Sequence, residues 1–374
     1  MRSIATIPEA IEDIRQGKMI ILIDDEDREN EGDLVIAAEL TTPESINFMA
    51  THARGLICVA LSSERVNAIG LEPMVRTNRA PLETAFTISV DAIETTSGIS
   101  ASDRALTVKQ LVEDDAKLSD FRIPGQTFPL SARPGGVLVR AGQTEGSVDL
   151  ARLAGLKEGA VICEIMNPDG TMARLDSLLE FGEEHDMKVV TIEDLVQYRM
   201  QTESFVQQVA CVDLPTDFGT FKACAFQNEL NTQIHLALVM GDVTTDEPSL
   251  VRVHRGDLFT DVFDFRGDRR ENRLNWALEK IADAQRGVLL YLRTGQQGAL
   301  TADGLRAFIQ RQTENDHTEP SSEGNMSFRE FGIGAQILSH LGLNKLRVIT
   351  NNPHPLRGLG GFGLEIVDWV PIQS

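Results

Sequence analysis

The sequence predicts a layered α/β (α+β) chain of two domains, a mixed-sheet domain followed by an α+β domain, and three observations support this. The chain has 374 residues, 42% of them hydrophobic, which is enough to bury a core in each of two domains. Short apolar runs, typical of buried strands, alternate with stretches in which apolar residues recur at helical spacing. A polar segment at residues 200–204 separates two such halves, so we place the domains at residues 1–202 and 207–374.

The first half begins with helical spacing over residues 8–18, which ends at Gly17, a residue common at helix C-termini. Strands and helices then alternate, as expected of a layered domain of about two hundred residues. The predicted strands are 19–23, 34–38, 56–60, 136–139, 161–165 and 188–192, and the predicted helices are 43–50, 148–154, 175–184 and a last one ending at Tyr198.

The second half mixes strands and helices in the same way. FGTFKACAF, HLALVMGDV and LVRVHRGD alternate like antiparallel strands, and GVLLYLR and LRVITNN are further predicted strands. ENRLNWALEKIADA and FGIGAQILSHLGL show helical spacing. The polar stretch at residues 312–325 is predicted to be a disordered loop.

Charge and composition exclude several classes of partner. Thirty-five basic against 56 acidic residues give a net charge of −21, which argues against nucleic acid and anionic membranes as partners. The N-terminus lacks the pattern of a signal peptide, and no apolar run approaches the roughly 20 residues needed to span a bilayer. The four cysteines form no CxxC pair, so we expect a cytoplasmic protein with reduced thiols.

The segment DDEDRENEGD, residues 24–33, is the most unusual feature of the first half. It places seven carboxylates and one arginine between two predicted strands, where their repulsion is hard to relieve without a cation. Clustered carboxylates suit Mg²⁺, and an arginine binds an anion such as phosphate through its fork of donors. A phosphorylated sugar with a metal ion is therefore the more specific hypothesis, and a solvated turn is the alternative.

A second polar segment, RAGQTE at residues 140–145, offers an arginine, a glycine and a hydroxyl just before a predicted helix. Helix N-termini bind anions, although a glycine turn before a helix is also ordinary architecture. Glu164 is a charged residue within an otherwise apolar predicted strand, and carboxylates are seldom buried without a partner, so a functional role is favoured there.

The first half resembles the 3,4-dihydroxy-2-butanone 4-phosphate synthases of riboflavin biosynthesis across residues 1–200. The motifs that carry the resemblance are DEDRENEGD, HARGLICVAL, TAFTISVDA, TSGISASDRA, PGQTFPL, GGVLVRAGQTEGSVDLARLAGL, VICEIMNPDGTMAR and VTIEDLVQYR. The resemblance implies a homodimeric lyase that converts ribulose 5-phosphate into 3,4-dihydroxy-2-butanone 4-phosphate and formate with Mg²⁺ or Mn²⁺ and no organic cofactor. The metal would polarise the sugar's oxygens as an enediolate forms.

Matched motif by motif, the resemblance implies roles for individual residues. It assigns substrate binding to Arg28, Glu29, Asp33, Arg140, Gly142, Thr144 and Glu164, catalysis to Glu164, Gln126, Asp33 and Cys58, and metal binding to Glu29 and Gln143. Cys58 and Cys163 are also expected to be core residues, because free cysteine is commonly buried.

The chain departs from the family's pattern at two functional positions. Gln126 and Gln143 stand where the family has a catalytic and a metal-binding histidine, and Ile123 stands where an arginine is frequent. Glutamine can offer an oxygen to a metal but has no nitrogen that titrates near neutral pH. Three alternatives follow: an impaired relative that binds a sugar phosphate or regulates the pathway, altered chemistry on a related sugar phosphate, or a deliberate change at both positions.

The second half resembles GTP cyclohydrolase II from about Val209 to Ile372, but lacks its zinc ligands. The family's three cysteines correspond to Asp257, Gly267 and Arg269, and zinc in such sites prefers thiolates. TGQQGAL, residues 294–300, replaces the family's EGRNIGL. We therefore predict a cyclohydrolase-like domain without zinc or cyclohydrolase activity, in which Arg252 and His254 are relics of the site or structural residues.

Overall fold

The computed structural model describes residues 4–231, 233–256, 261, 273–293, 328–351, 353 and 359–372. Within these ranges, no helix combines the length and apolar character needed to cross a membrane. The contacts divide the chain into two compact units, Met1–Tyr198 and Arg199–Ser374, which are described separately below.

The first unit is a seven-stranded mixed sheet in the order β4-β5-β3-β6-β2-β1-β7, in which only the β1–β7 and β3–β5 pairs are parallel. Its strands are β1 (Ile20–Ile23), β2 (Gly32–Ala37), β3 (Cys58–Leu61), β4 (Val90–Ala92), β5 (Phe121–Ser131), β6 (Gly159–Glu164) and β7 (Val189–Thr191). Its helices are α1 (Ile7–Arg15), α2 (Pro43–Phe48), α3 (Ser63–Ile69), α4 (Ala101–Val112), α5 (Gln143–Leu153), α6 (Leu175–Glu184) and α7 (Ile192–Thr202), the last of which ends in the second unit.

The central strands of the first unit's sheet, β3, β6, β2 and β1, are apolar because they are buried. Every residue of β1, β2 and β3 is buried, because helices cover both faces. Leu34, Val59 and Val161 are fully buried in the core cluster between the sheet and its helices. The apolar runs of the sequence therefore mark the middle of the sheet, and the polar segments between them lie at the strand ends.

The second unit is another seven-stranded sheet, in the order β14-β13-β11-β12-β10-β9-β8. Its strands are β8 (Val206–Thr216), β9 (Gly219–Asn228), β10 (Ile234–Met240), β11 (Ser249–Arg255), β12 (Gly287–Leu292), β13 (Lys345–Ile349) and β14 (Glu365–Val370). Among the described residues of this unit, the further helices are α8 (Arg273–Asp283) and α9 (Phe328–His340). Phe221 and Ile281 are fully buried between this sheet and α8.

The predicted two-domain α/β fold is confirmed, and three local predictions are corrected. Residues 136–139, predicted as a strand, contain a 3-10 helix at Gly136–Leu138, because Gly135 and Gly136 both have positive φ angles that a strand does not accept. The helix predicted at 148–154 begins five residues earlier, at Gln143. β11 pairs in parallel with β12 and β13, whereas its alternating pattern predicts an antiparallel strand. The predicted loop at 312–325 lies outside the described residues.

The prediction of reduced thiols is wrong for two of the four cysteines. Cys211 on β8 and Cys224 on β9 stand directly opposite each other in the antiparallel ladder, with Cα atoms 4.1 Å apart, and form a disulfide. The local sequence around either cysteine does not indicate this pair, because the two cysteines are 13 positions apart. Cys58 and Cys163 are free and buried, which confirms their expected place in the core.

Candidate active site

The acidic segment is the connection between two antiparallel strands of the first unit. Ile23 at the end of β1 pairs with Gly32 at the start of β2, so the intervening residues form a loop at one end of these strands. Asp24 is buried and holds this loop, since its carboxylate accepts hydrogen bonds from the backbone N–H groups of Glu29 (3.2 Å) and Glu31 (2.8 Å). One of the seven acids thus serves the loop's own structure.

Arg28 is the centre of a polar cluster that joins this loop to α5. Its Nη1 donates to Oδ2 of Asp24 at 2.6 Å, to Oε2 of Glu29 at 3.1 Å and to Oε1 of Gln143 at 2.9 Å. The Arg28 side chain is only 16% exposed, so these charge-assisted bonds are shielded from solvent. The structure thereby brings together three of the residues predicted for substrate and metal binding.

Gly142 lies between two guanidinium groups at the start of α5. A Cβ atom added there would come within 2.5 Å of Nη1 of Arg140 and 3.1 Å of Nη2 of Arg28, so only glycine leaves both arginines in place. Gly142 is the N-cap of α5 and provides no side chain to bond the first amides of the helix. Two cations and a helix N-terminus together make a setting that favours a phosphate.

Arg140 is fixed by contacts on two sides. Its Nη1 donates to the buried Glu145 at 2.6 Å, and its Nη2 donates to the carbonyl oxygen of Leu82 at 3.0 Å. Thr144, which precedes Glu145 in the first turn of α5, is also buried. The guanidinium is therefore held in position before any ligand binds, which lowers the entropic cost of binding one.

Asp33 and Glu164 form a second part of the site, on β2 and β6. The two residues stand directly opposite each other in the antiparallel ladder. Burial and then the neighbouring carboxylate of Glu164 raise the pKa of Asp33 well above that of an ordinary aspartate. Oε2 of Glu164 accepts a hydrogen bond from the backbone N–H of Leu56 at 2.8 Å, and Gly55 packs so closely that an added Cβ would clash with the Glu164 backbone.

Cys58 on β3 is buried close to both carboxylates. Burial, and then the charges of Glu164 and Asp33, raise the pKa of its thiol far above the usual range. The same causes raise the pKa of Cys163 to about 12. Both side chains therefore stay protonated at neutral pH, and Cys58 contributes a neutral, apolar wall to the acidic site.

Gln126 is a predicted site residue whose role stays a prediction. It is exposed on β5, where its backbone N–H donates to Oδ1 of the buried Asp91 at 2.8 Å. Within the described part of this single chain, no hydrogen bond joins its side chain to the cluster around Arg28. The fold brings Asp33, Cys58 and Glu164 to the same end of three neighbouring strands.

Sequence reasoning overlooked three residues that shape the site. Asp24 and Glu145 both stand in the quoted polar segments, but which acids turn inward depends on the tertiary fold. Arg174, the N-cap residue of α6, was not considered, although its Nη1 donates to the carbonyl oxygen of Glu29 at 2.6 Å. Arg174 ends the quoted motif VICEIMNPDGTMAR, but nothing in that motif indicates a contact with a residue 145 positions away.

The donor set suits a hard divalent cation. Oε2 of Glu29 and Oε1 of Gln143 both lie within 3.1 Å of one atom, Nη1 of Arg28, so these two oxygens converge. Mg²⁺ in enzymes is typically held by one or two protein oxygens, with water and substrate completing the shell. Among the described residues, no group of three or more His, Cys, Asp or Glu could hold a metal ion.

In the second unit, Arg252 and His254 both lie on β11. Nε2 of His254 lies 2.8 Å from Oδ1 of Asp261, and the hydroxyl of Tyr291 donates to the other oxygen of that carboxylate at 2.8 Å. Arg252 donates to the carbonyl oxygen of Ile349 at 3.0 Å. The positions aligned with the zinc cysteines, 257, 267 and 269, and the segment 294–300 lie outside the described residues.

Comparison with known proteins gives two family matches. Residues 8–198 match the family model of 3,4-dihydroxy-2-butanone 4-phosphate synthase, and residues 207–371 match that of GTP cyclohydrolase II. A relative from Aquifex aeolicus, the riboflavin biosynthesis protein RibBA, is 52% identical over 98% of this chain and 92% of its own length.

Two solved structures are also similar. RibBX from A. baumannii, described as a two-domain 3,4-dihydroxy-2-butanone 4-phosphate synthase, is 40% identical with a TM-score of 0.79, covering 98% of this chain and 99% of that one. A 3,4-dihydroxy-2-butanone 4-phosphate synthase in complex with two magnesium ions is 44% identical with a TM-score of 0.51, covering 53% of this chain and 98% of its own.

Proposed function

The chain belongs to the 3,4-dihydroxy-2-butanone 4-phosphate synthase family, and we propose that its first domain, residues 1–202, converts ribulose 5-phosphate into 3,4-dihydroxy-2-butanone 4-phosphate and formate. The observation that carries this proposal is that Arg28 and Arg140 both reach Gly142 at the N-terminus of α5, and that Arg28 also binds Glu29 and Gln143. The atoms of the two products add up to those of the substrate, so the reaction needs no oxidant or organic cofactor.

Binding of the substrate falls to the two arginines and the helix N-terminus. Arg28 and Arg140 both bring a guanidinium nitrogen close to Gly142, so a phosphate or the sugar's oxygens can accept charge-assisted bonds from both. The first amides of α5 add donors on the same side. Thr144 is placed to add a hydroxyl. Because Asp24 and Glu145 already hold the arginines, the site needs little rearrangement on binding.

Mg²⁺ or Mn²⁺, held by Glu29 and Gln143, would polarise the substrate carbonyl and so acidify the adjacent carbon. Glu164 is the carboxylate that accepts the proton from that carbon. Asp33, opposite Glu164, keeps its own proton to a higher pH than an ordinary aspartate and so serves as a donor within the same site. The buried, neutral thiol of Cys58 lowers the polarity around Asp33 and Glu164, which strengthens the electrostatic interactions of both carboxyl groups.

Turnover of ribulose 5-phosphate with Mg²⁺ tests the proposal, with formate and product mass as readouts. Formate together with the four-carbon product from the unaltered protein supports it and means that neither missing histidine is indispensable. A variant with Gln126→His and Gln143→His provides the comparison. If only that variant is active, the chain is an impaired relative whose site still binds the sugar phosphate, and if formate appears with another product mass, the chemistry has changed.

We further propose that the second domain, residues 207–374, binds no zinc and has no GTP cyclohydrolase activity. Its only cysteines, Cys211 and Cys224, form a disulfide, and Asp257, Gly267 and Arg269 offer zinc no thiolate. RibBX, described as a two-domain 3,4-dihydroxy-2-butanone 4-phosphate synthase, is compatible with this reading. The family match of residues 207–371 favours the opposite one.

Zinc analysis and incubation with GTP decide between these readings of the second domain. Metal analysis after dialysis against zinc is expected to find no bound zinc, and GTP is expected to release no pyrophosphate. Pyrophosphate is the readout because formate also comes from the first domain's reaction. Stoichiometric zinc together with pyrophosphate release would mean that the second domain is an active cyclohydrolase with ligands other than cysteine.

The proposal includes a cytoplasmic homodimer with no nucleic-acid or membrane partner. The net charge of −21 supports the exclusion of polyanionic partners. The dimer follows from the family, and light scattering on the purified protein measures it directly. A monomer at micromolar concentration would remove the dimer from the proposal without affecting the site described above.

A further inference from the structure

Arg174 connects α6 to the acidic loop. It is the N-cap residue of α6, and its Nη1 donates to the carbonyl oxygens of both Glu29 and Asn30. The same nitrogen lies 3.9 Å from Oε1 of Glu31. One guanidinium thus holds the two peptide carbonyls that flank Asn30.

The acidic loop turns sharply at the residues to which Arg174 donates its hydrogen bonds. Asn30 has a φ of 53°, in the left-handed region that asparagine tolerates better than most residues. Its N–H donates to the carbonyl oxygen of Asp25 at 3.2 Å, which closes the turn from within. Asp24 holds the loop from the sheet side and Arg174 from the side of α6, so the backbone between Arg28 and Glu31 is fixed from two directions.

The backbone next to Arg174 is held by its own contacts with β6 and β2. The N–H of Ala173, the residue before it, donates to the carbonyl oxygen of Ile165 at 3.0 Å, just past the end of β6. One turn into α6, Leu178 packs against Gly32, where an added Cβ would come within 2.6 Å of its side chain. α6 is therefore seated on the end of the strand that carries Glu164 and on the start of the strand that follows the loop.

We propose that Arg174 is a positioning residue for the synthase site: by holding the carbonyl oxygens of Glu29 and Asn30, it fixes the loop so that the Glu29 carboxylate and the Arg28 guanidinium face Gln143. This inference rests on the function proposed above for the first domain. Groups that orient metal ligands from behind commonly change metal affinity or activity roughly 10- to 100-fold when they are replaced.

Two measurements on the full chain test the role of Arg174. The first is hydrogen exchange of the backbone amides from Arg28 to Glu31, which are bonded to Asp24 and Asp25. The second is the binding of Mn²⁺ alone, followed by the electron paramagnetic resonance of the free ion. The variants are Arg174→Met, Arg174→Lys and, as a matched control, Arg347→Met, which removes another half-exposed arginine from an acidic partner.

Arg174→Met is expected to speed exchange in the loop and weaken Mn²⁺ binding by roughly tenfold or more, with an unchanged melting temperature. Arg174→Lys should recover part of the affinity because it retains a cationic donor, and Arg347→Met should match the unaltered protein. Unchanged loop exchange overturns the proposal, and so does unchanged Mn²⁺ affinity when the unaltered protein binds the ion.

Glu29→Gln separates this inference from the proposed function. If the unaltered protein and Glu29→Gln bind Mn²⁺ alike, the metal site of the proposed function fails. Loop exchange then decides the role of Arg174 by itself, since faster exchange in Arg174→Met supports it and unchanged exchange overturns it.

Discussion

Nη1 of Arg28 donates to Oε1 of Gln143 at 2.9 Å, a bond between residues 115 positions apart in the sequence. The loop after β1 and the first residue of α5 are thereby joined. In the proposed site, Gln143 takes the place of a metal-binding histidine, and its amide oxygen would be shared between Arg28 and a cation bound beside Glu29. Its competence as a ligand therefore depends on how firmly Arg28 holds it.

Gln143→His should strengthen Mn²⁺ binding by about tenfold, because an imidazole nitrogen is a better ligand for transition metals than an amide oxygen. Calorimetric titration with Mn²⁺ and Mg²⁺ measures the change, and the gain should be smaller for Mg²⁺. Gln16→His, a change at an exposed residue of the same domain, is the control. Equal Mn²⁺ affinities for Gln143→His and the unaltered protein would show that residue 143 is not a ligand.

Glu164→Gln should lower the rate of formate release by ~10²- to 10⁴-fold, the usual contribution of a general base. Binding of the sugar phosphate should change little, because glutamine keeps an oxygen that can accept the bond from the N–H of Leu56. The assay is steady-state turnover with ribulose 5-phosphate. Glu158→Gln, just before β6 and exposed, serves as the control. Equal loss in both variants would argue against a catalytic role for Glu164.

Gly142→Ala should raise KM for ribulose 5-phosphate roughly tenfold, because the new methyl group displaces Arg140 and disturbs Arg28. Competition by inorganic phosphate should weaken in parallel. The control is Gly360→Ala, since no atom lies within 4 Å of a Cβ added at that glycine. A drop in kcat with an unchanged KM would mean that the two arginines do not bind the phosphate.

Asp33→Asn should flatten the pH dependence of stability in the metal-free protein. The folded-state pKa of Asp33 lies above its ordinary value of 3.8, so between those two values the folded chain holds a proton that the unfolded chain has lost. The free energy of unfolding then falls by up to about 1.4 kcal/mol per pH unit as the pH rises through that window. Urea unfolding in EDTA, compared between the two proteins, measures this difference, and parallel curves would contradict it.

Thiol labelling should divide the cysteines into two pairs. Cys58 and Cys163 should resist iodoacetamide at pH 8 until the chain is unfolded, since both are buried and burial raises the pKa of each thiol. Cys211 and Cys224 should react only after a dithiol reductant has opened their disulfide. Peptide mass mapping reads out all four sites. Labelling of Cys58 in the folded protein would show that it is accessible as a thiolate.

Sequence patterns predicted the strands and helices that have strong periodic signals. Helix α6 has the bounds that the sequence predicts, Leu175–Glu184, because its apolar residues recur at helical spacing. The error at residues 136–139 arose from apolar residues in a glycine turn, where composition alone cannot separate a strand from a 3-10 helix. The parallel pairing of β11 depends on contacts distant in sequence.

By itself, the sequence determined the fold class, the two-domain layout and the identity of the residues in the acidic loop and the RAGQTE segment, because these follow from local composition and motif order. Only the tertiary structure decided which acids turn inward, that Arg28 meets Gln143, that Arg174 holds the loop, and that Cys211 pairs with Cys224. The reason is physical. A side chain's partner is set by sheet register and by how helices pack on strand ends, and these bring together residues 13 positions apart in Cys211 and Cys224, 115 in Arg28 and Gln143 and 145 in Glu29 and Arg174.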